Sequence, residues 1–404
     1  MQNASPDADA IGRMLAVRPM LCGVARASDV LPLAGRTLLH AGPPIAAAST
    51  LPRPQRNSAV MAILYEGWAS SVEMANHLLD SGAVCLKPAQ DCRAAIPLAD
   101  ILSPSMAVLV VHDAQAPWRC GYSTINGGDG PVMRVGLCSD AVLERLRWIN
   151  TVLAPQLAPL LDGAEIDLIA LADRALQQGD DCHGRTIAGS ALLLERLRQS
   201  AAADNMSAEV VAFLDRAPAF FLNVWMAAVK CVLRAAEGVA GSGVVTAIGG
   251  NGHSFGIQIA AAPGCWFVTP ATPPLVPGAG PLLQERALGA IGDSAIIDAF
   301  GGGAMAASHA PTTRARLDAV CGEHALQFPT ALLQTSHPAF VHIGGLCTGL
   351  TVRRTQAMSQ TPVISLGVLD RQGEQGRLDG GFYFAPRAPF EQAWHTLEDS
   401  NEPT

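Results

Sequence analysis

The sequence predicts an α+β multidomain protein, with an N-terminal α/β domain, a small helical middle domain and a C-terminal α+β domain. Three observations lead there. The chain has 404 residues, well beyond the roughly 150 of a typical domain. Hydrophobic residues make up 49% and charged residues 15%, too apolar for a disordered chain and suited to extensive burial within domains and against partners. The hydrophobic periodicity changes twice along the chain: short apolar runs give way to an unbroken 3.6-residue period, and strand-like runs then return.

Residues 1–29 read as a flexible lead-in followed by a helix. Residues 30–138 form the α/β segment, in which the apolar runs 37–39, 60–64, 83–86 and 106–111 alternate with helical stretches such as 71–79. Residues 139–240 form the helical segment, with helices expected at 140–161, 165–177, 183–199, 207–215 and 219–237. Residues 241–390 return to α+β character. There, Val244 to Ile248 and His253 to Ala260 flank the turn Gly249-Gly250-Asn251-Gly252 and predict a β-hairpin, since Asn-Gly adopts positive φ readily. A helix follows Gly292-Asp293-Ser294 and ends near Gly301-Gly302-Gly303, and residues 391–404 form an acidic tail.

Charge and cysteine usage narrow the function. The net charge is −8, from 27 Lys and Arg against 35 Asp and Glu, with no basic tract; binding to nucleic acid or an acidic membrane surface is not expected. The ten cysteines are scattered without a Cys-x-x-Cys pair and read as reduced thiols. The N-terminus lacks the charged and apolar regions of a signal peptide, and no apolar run reaches about 18 residues, which points to the cytoplasm. Small-molecule chemistry is the expected class.

The densest polar cluster is residues 179–186, Gly-Asp-Asp-Cys-His-Gly-Arg-Thr. Asp180 or Asp181 caps the helix that follows, so His183, Arg185 and Thr186 fall in its first turn, where free N–H groups and the dipole favour a phosphate or carboxylate. The alternative is plain capping with a solvated Arg185 and a surface His183. A metal held by Asp180, Asp181 and His183 is chemically allowed, but adjacent residues diverge and no second ligand cluster is evident. Lys87 and Lys230 are the only lysines, and Lys230 lies on an apolar helix on the same face as Asn223. Its ammonium must snorkel, pair with a carboxylate or meet an anionic ligand. Loops at strand ends supply further candidate contacts at His40, Gly42, Asn126, Gly250, Asn251 and Gly302. The glycine runs match neither a Walker A loop nor a dinucleotide fingerprint, so no cofactor is expected.

The ordered set LLHAGPP (38–44), LYEGWA (64–69), GDDCHGRTIAGSALL (179–193), FFLNVWMAAVK (220–230), VVTAIGGNGHSFGIQ (244–258) and GDSAIIDAFGGGAMA (292–306) resembles the YlbE-like family, also labelled DUF1116. The resemblance covers residues 30 to 390 and implies the same three-part architecture. One branch of that family is a subunit of oxamate carbamoyltransferase, acting in anaerobic allantoin breakdown with an FdrA-like subunit and a third small subunit. The resemblance thus implies interconversion of oxalurate plus phosphate with oxamate plus carbamoyl phosphate. The family block commonly carries Glu and Asn where this chain has Asp181 and Thr186, which shortens one carboxylate and removes one amide.

Such a reaction needs donors for phosphate and for the oxyanion on the carbamoyl carbon, and help for a weakly nucleophilic amide nitrogen. The expected assignment is Arg185 and the helix N-terminus to the phosphate or substrate carboxylate, His183 to proton transfer or the oxyanion, Asp180 to orienting the imidazole, and Lys230 with Asn223 to the other anionic end, all around one cavity. Two rivals stay open: a non-catalytic scaffold or ligand-binding subunit of an FdrA-like complex, and a metal-dependent amidohydrolase acting on ureido compounds. The apolar composition also admits a homo-oligomer.

Overall fold

In the computed structural model, residues 5–321 and 331–399 are described. The mixed α+β character is borne out: helices surround several small sheets. An antiparallel sheet runs in the order 116–124, 107–113, 19–26, 166–167. Its strand Pro19–Arg26 lies in the stretch expected to be lead-in and helix; it is preceded by the helix Pro6–Leu15, capped by Ser5. A second sheet centres on Thr37–His40, paired in parallel with Cys85–Pro88 and antiparallel with Ile101–Leu102. The helices Arg53–Tyr65 and Val72–Asp80 make the crossover between the parallel strands.

The middle helices form close to where their periodicity places them. The first runs through Asp140–Trp148, a π-turn at Ile149–Leu153 and Ala154–Leu161, starting from Ser139, whose hydroxyl accepts from Val142 N. Leu168–Gln177, Ala208–Asp215 and Phe220–Leu233 follow, and Asp167 and Ser207 cap the first two of these. The Ile187–Arg198 helix begins four residues later than position 183, for a reason given below.

Phe220–Leu233 is the central helix. It is buried along its length except at Leu222, which is why its residues are apolar on every side but for Asn223 and Lys230. It lies against the first sheet so closely that a Cβ at Gly121 would stand 2.1 Å from the Ala227 carbonyl oxygen. One hydrophobic core runs from Ala10 to Leu397 and includes this helix. The helical stretch thereby supplies core to the β segments on both sides of it.

The predicted hairpin forms between Val245–Asn251 and Ser254–Ile259, with Gly250 opposite Phe255. Its turn sits two residues later than expected. Gly249 and Gly250 stay in the strand because other backbone packs on them: a Cβ on Gly250 would be 2.1 Å from Ala290 O. Asn251 Oδ1 closes the turn by accepting from His253 N (3.0 Å) and Ser254 N (2.7 Å). Two further hairpins, Leu333–His337 with Leu346–Leu350 and Val363–Leu369 with Arg377–Phe384, are followed by the helix Ala388–Asp399, which runs into the stretch expected to be a tail and buries Phe390, Ala393 and Leu397 in the core. All ten cysteines are free thiols. Among the described residues, no single helix is long and apolar enough to cross a membrane.

Candidate functional site

The 179–186 cluster is a pinned loop rather than the first turn of a helix. Asp181 Oδ1 accepts from His183 N (2.7 Å) and Arg185 N (2.9 Å), and its Oδ2 accepts from the Thr313 hydroxyl. The Arg185 carbonyl accepts from Asp181 N and Cys182 N, and Cys182 takes φ 62°. A left-handed non-glycine residue breaks helical geometry there, which delays the helix to Ile187. Asp180 does cap that helix, accepting from Gly189 N at 2.8 Å. Burial pushes its carboxyl up to about 6, against the pull of that hydrogen bond and of Arg185, whose Nε lies 3.5 Å from Oδ1. Thr186 stands at the N-cap position, but its hydroxyl donates to Pro218 O (3.1 Å).

Asp298, rather than Asp180, orients the His183 imidazole. Its Oδ2 lies 2.5 Å from His183 Nδ1, while Oδ1 accepts from Ala304 N (2.8 Å) and Ser365 N (3.0 Å). Asp180 cannot do this, because it faces the helix N-terminus and Arg185. The glycine run has a steric role here: a Cβ on Gly303 would fall 2.1 Å from Asp298 Oδ1. Burial raises the Asp298 carboxyl, and the neighbouring His183 opposes that rise. With Nδ1 engaged by a carboxylate, Nε2 is the ring nitrogen left for a ligand.

His183 opens onto a cleft of about 350 Å³ whose wall also carries Arg134, Arg185, Arg316 and Arg377, with Asp129 and Asp181 as the carboxylates. Guanidinium groups gathered in one hollow favour an anion; Arg185 and Arg316 each have a carboxylate nearby, Asp180 at 3.5 Å and Asp379 at 3.6 Å. Arg134 is buried, donates Nη2 to Gly128 O (2.8 Å) and has Asp129 4.0 Å away at the exposed rim. Burial foremost, and then the like charge of Arg377, lowers its pKa. Leu98, at φ 50°, is a strained wall residue. Among the described residues, no group of three or more His, Cys, Asp and Glu is placed to hold a metal ion.

His183, Arg185 and Thr186 are therefore brought together, and other expected contacts are not. Lys230 points elsewhere: its Nζ lies 3.1 Å from Glu237 Oε1 and 3.4 Å from Thr246 O, since a buried ammonium needs a carboxylate more than it needs the cleft. Asn223 is buried behind the wall, donating to Thr124 O (2.8 Å) and accepting from Asn126 Nδ2 (3.0 Å). Asn126 in turn accepts from Gly128 N (2.9 Å), which shapes the loop that meets Arg134. His40, Gly42, Gly250 and Asn251 belong to a separate buried junction. There Gly42 N and Gln90 Nε2 donate to Asp293 Oδ1 (2.9 and 2.7 Å), Asn251 Nδ2 donates to Pro43 O (3.0 Å), and a Cβ on Gly42 would be 2.3 Å from the Gly250 backbone. Burial lowers the His40 pKa to about 4. Gly302 packs on Ile297 and does not line the cleft.

Sequence reasoning missed Asp298, Arg134, Arg316, Arg377 and Ser365. Asp298 had a signal, as a carboxylate within the apolar helix Ala295–Phe300 is as conspicuous as Lys230 is in its own helix. The arginines had none, being one charged residue type among many.

Comparison with known proteins bears on this site. A family model described as oxamate carbamoyltransferase subunit AllG matches residues 84–294. The chain is 35% identical over 413 residues to the Escherichia coli K12 protein described as oxamate carbamoyltransferase subunit AllG, covering 98% of each. It is 28% identical over 403 residues to the uncharacterized protein YahG of the same organism, covering 96% of this chain and 85% of that one. Among solved structures, a conserved protein of unknown function from Enterococcus faecalis V583 superposes with a TM-score of 0.91 at 27% identity, covering 98% of both chains.

Proposed function

Because the chain belongs to the family of oxamate carbamoyltransferase subunit AllG, we propose that it carries the acyl-transfer cleft of a multisubunit carbamoyltransferase. The partners in this reading are an FdrA-like subunit and a third small subunit. The reaction interconverts a ureido acid plus phosphate, oxalurate-like, with an oxamate-like amide acid plus carbamoyl phosphate. The observation that carries the reading is the His183–Asp298 pair facing a cleft edged by Arg134, Arg185, Arg316 and Arg377.

In the phosphorolytic direction a phosphate oxygen adds to the ureido carbonyl carbon. The C–N bond to the acid-bearing nitrogen then breaks, and that nitrogen leaves as a primary amide. His183 Nε2 takes the proton that the attacking hydrogen phosphate loses and passes it to the departing nitrogen; in the reverse direction it removes the proton as the amide attacks carbamoyl phosphate and returns it to the phosphate released. Asp298 holds Nδ1–H and stabilises the imidazolium that forms between these steps. The guanidinium groups neutralise phosphate and the substrate carboxylate, and they are in place before reaction, so no solvent has to reorganise around the developing charge. Lys230 has no part in this scheme, since Glu237 already holds it.

The test is phosphate release from carbamoyl phosphate and oxamate by the chain assembled with its neighbouring gene products. His183→Ala is expected to lower turnover at least about a hundredfold. Near-normal turnover would remove the imidazole from the reaction and return the chain to a scaffold whose partner holds the site.

A further inference from the structure

The cleft has a polar group that no fold interaction explains. Ser365, on the strand Val363–Leu369, is 5% exposed and forms part of the cleft wall. Among the described residues, its buried Oγ has no hydrogen-bond partner. A buried hydroxyl left unsatisfied is unfavourable in the empty protein, and retaining one beside a ligand cavity is explained when the ligand completes it. The position of this hydroxyl is also fixed. The backbone N–H of Ser365 donates to Asp298 Oδ1 (3.0 Å), and the other oxygen of the same carboxylate holds His183 Nδ1 (2.5 Å). One buried carboxylate therefore sets imidazole and serine relative to each other. Gly184 adjoins this hydroxyl in the wall: a Cβ there would stand in ordinary contact, 3.4 Å from Asp181 Oδ2 and 3.7 Å from Ser365 Oγ.

We propose that Ser365 is a specificity-determining residue that accepts a hydrogen bond from the amide N–H of a small carboxylate-bearing primary amide. This rests on the functional reading above and adds to it the group that recognises the uncharged end of the substrate. The reason lies in the donor and acceptor balance of the cleft. The guanidinium groups of Arg134, Arg185, Arg316 and Arg377 only donate, which suits a carboxylate or phosphate and cannot receive an amide N–H. Asp181 is committed to His183 N, Arg185 N and the Thr313 hydroxyl, and Asp129 stands exposed at the rim beside Arg134. Ser365 Oγ supplies an uncommitted acceptor on the residue whose N–H shares the Asp298 carboxylate with the imidazole, so an anionic amide is oriented with its charged end on the arginines and its nitrogen toward Ser365 and His183. A ligand of the same shape without N–H groups leaves this acceptor unpaired and binds less well.

The experiment compares binding of oxamate with that of pyruvate, which places a methyl group where oxamate has its NH2, by calorimetric titration of the full chain. The wild-type protein is expected to prefer oxamate roughly five- to tenfold, the usual range for one neutral hydrogen bond. Ser365→Ala and the nearly isosteric Ser365→Cys are expected to lose that preference by weakening oxamate while leaving pyruvate affinity unchanged and Tm no lower than that of the wild type. Equal affinity of the wild type for the two ligands, or equal loss of both in the variants, overturns the role of Ser365 and leaves the anion cleft standing. Failure of the wild type to bind either ligand overturns the functional reading and this inference with it.

Discussion

Replacing Asp298 by Asn separates the orientation of His183 from the integrity of the site. The two carboxylate oxygens have divided duties: Oδ1 takes Ala304 N and Ser365 N, and Oδ2 takes His183 Nδ1. An asparagine that keeps its oxygen at the Oδ1 position retains both backbone bonds, and its NH2 group then faces the imidazole. A donor opposite Nδ1 forces Nδ1 to become the acceptor and moves the ring proton to Nε2, the atom needed as a base. The variant loses a short, charge-assisted hydrogen bond worth about 1.5–3 kcal/mol. It also relieves the burial penalty that raises the Asp298 carboxyl, so the stability terms oppose each other and Tm should move by less than about 4 °C. Turnover should fall far more, by about 10²- to 10⁴-fold, the range for a misaligned acid-base group. The assay is phosphate release in the assembled complex, with a thermal melt of the same preparation. The double variant with His183→Ala should be no slower than His183→Ala alone, because the carboxylate acts only through the imidazole. Asp298→Asn within threefold of wild-type kcat, or additive losses in the double variant, would refute the proposed role of the pair.

Two further outcomes follow from side chains outside the chemistry. Lys230→Met removes the partner of Glu237, which keeps Arg234 3.6 Å away; stability should drop by roughly 1–3 kcal/mol in urea unfolding while oxamate affinity stays at the wild-type level. Lost affinity in a folded Lys230→Met protein would bring the lysine back into the site. Asp100 lies behind Arg134, accepts from the Thr124 hydroxyl at 2.7 Å and is held up to about 6, from the usual 3.8, chiefly by burial. A carboxyl raised in the folded state binds its proton more tightly there than when unfolded. The protein therefore loses stability as pH rises from about 4 to about 6, by about 3 kcal/mol in total. Asp100→Asn lacks this loss, so melts from pH 4 to 8 should show the variant gaining on the wild type through that window and holding a constant lead above it. A difference that does not change with pH would show the carboxyl to be unperturbed.

Much of this protein is determined by local sequence. The 3.6-residue period places the middle helices, because burying one stripe of a helix requires that spacing wherever the helix ends up. Strands 245–251 and 254–259 are legible because two apolar runs flank a Gly-Asn-Gly stretch that favours a tight turn, although packing on Gly249 and Gly250 moves the turn itself to Gly252 and His253. The long motifs alone suffice for the resemblance to the family, whereas Asp180 reaches a free N–H of its helix only across the pinned loop, with Thr186 at the N-cap position.

Tertiary structure decided the partnerships. The orientation of the His183 ring depends on a carboxylate 115 positions away, and no spacing rule connects Gly-Asp-Asp-Cys-His to Asp298. Lys230 looked like an anion receptor because its helix is apolar, yet burial sent it to Glu237, and only the packed structure could show which carboxylate lay within reach. Arg134, Arg316 and Arg377 carry no local mark. They become a site when separate chain segments fold around one hollow, since electrostatic attraction depends on distance in space and not on distance along the chain.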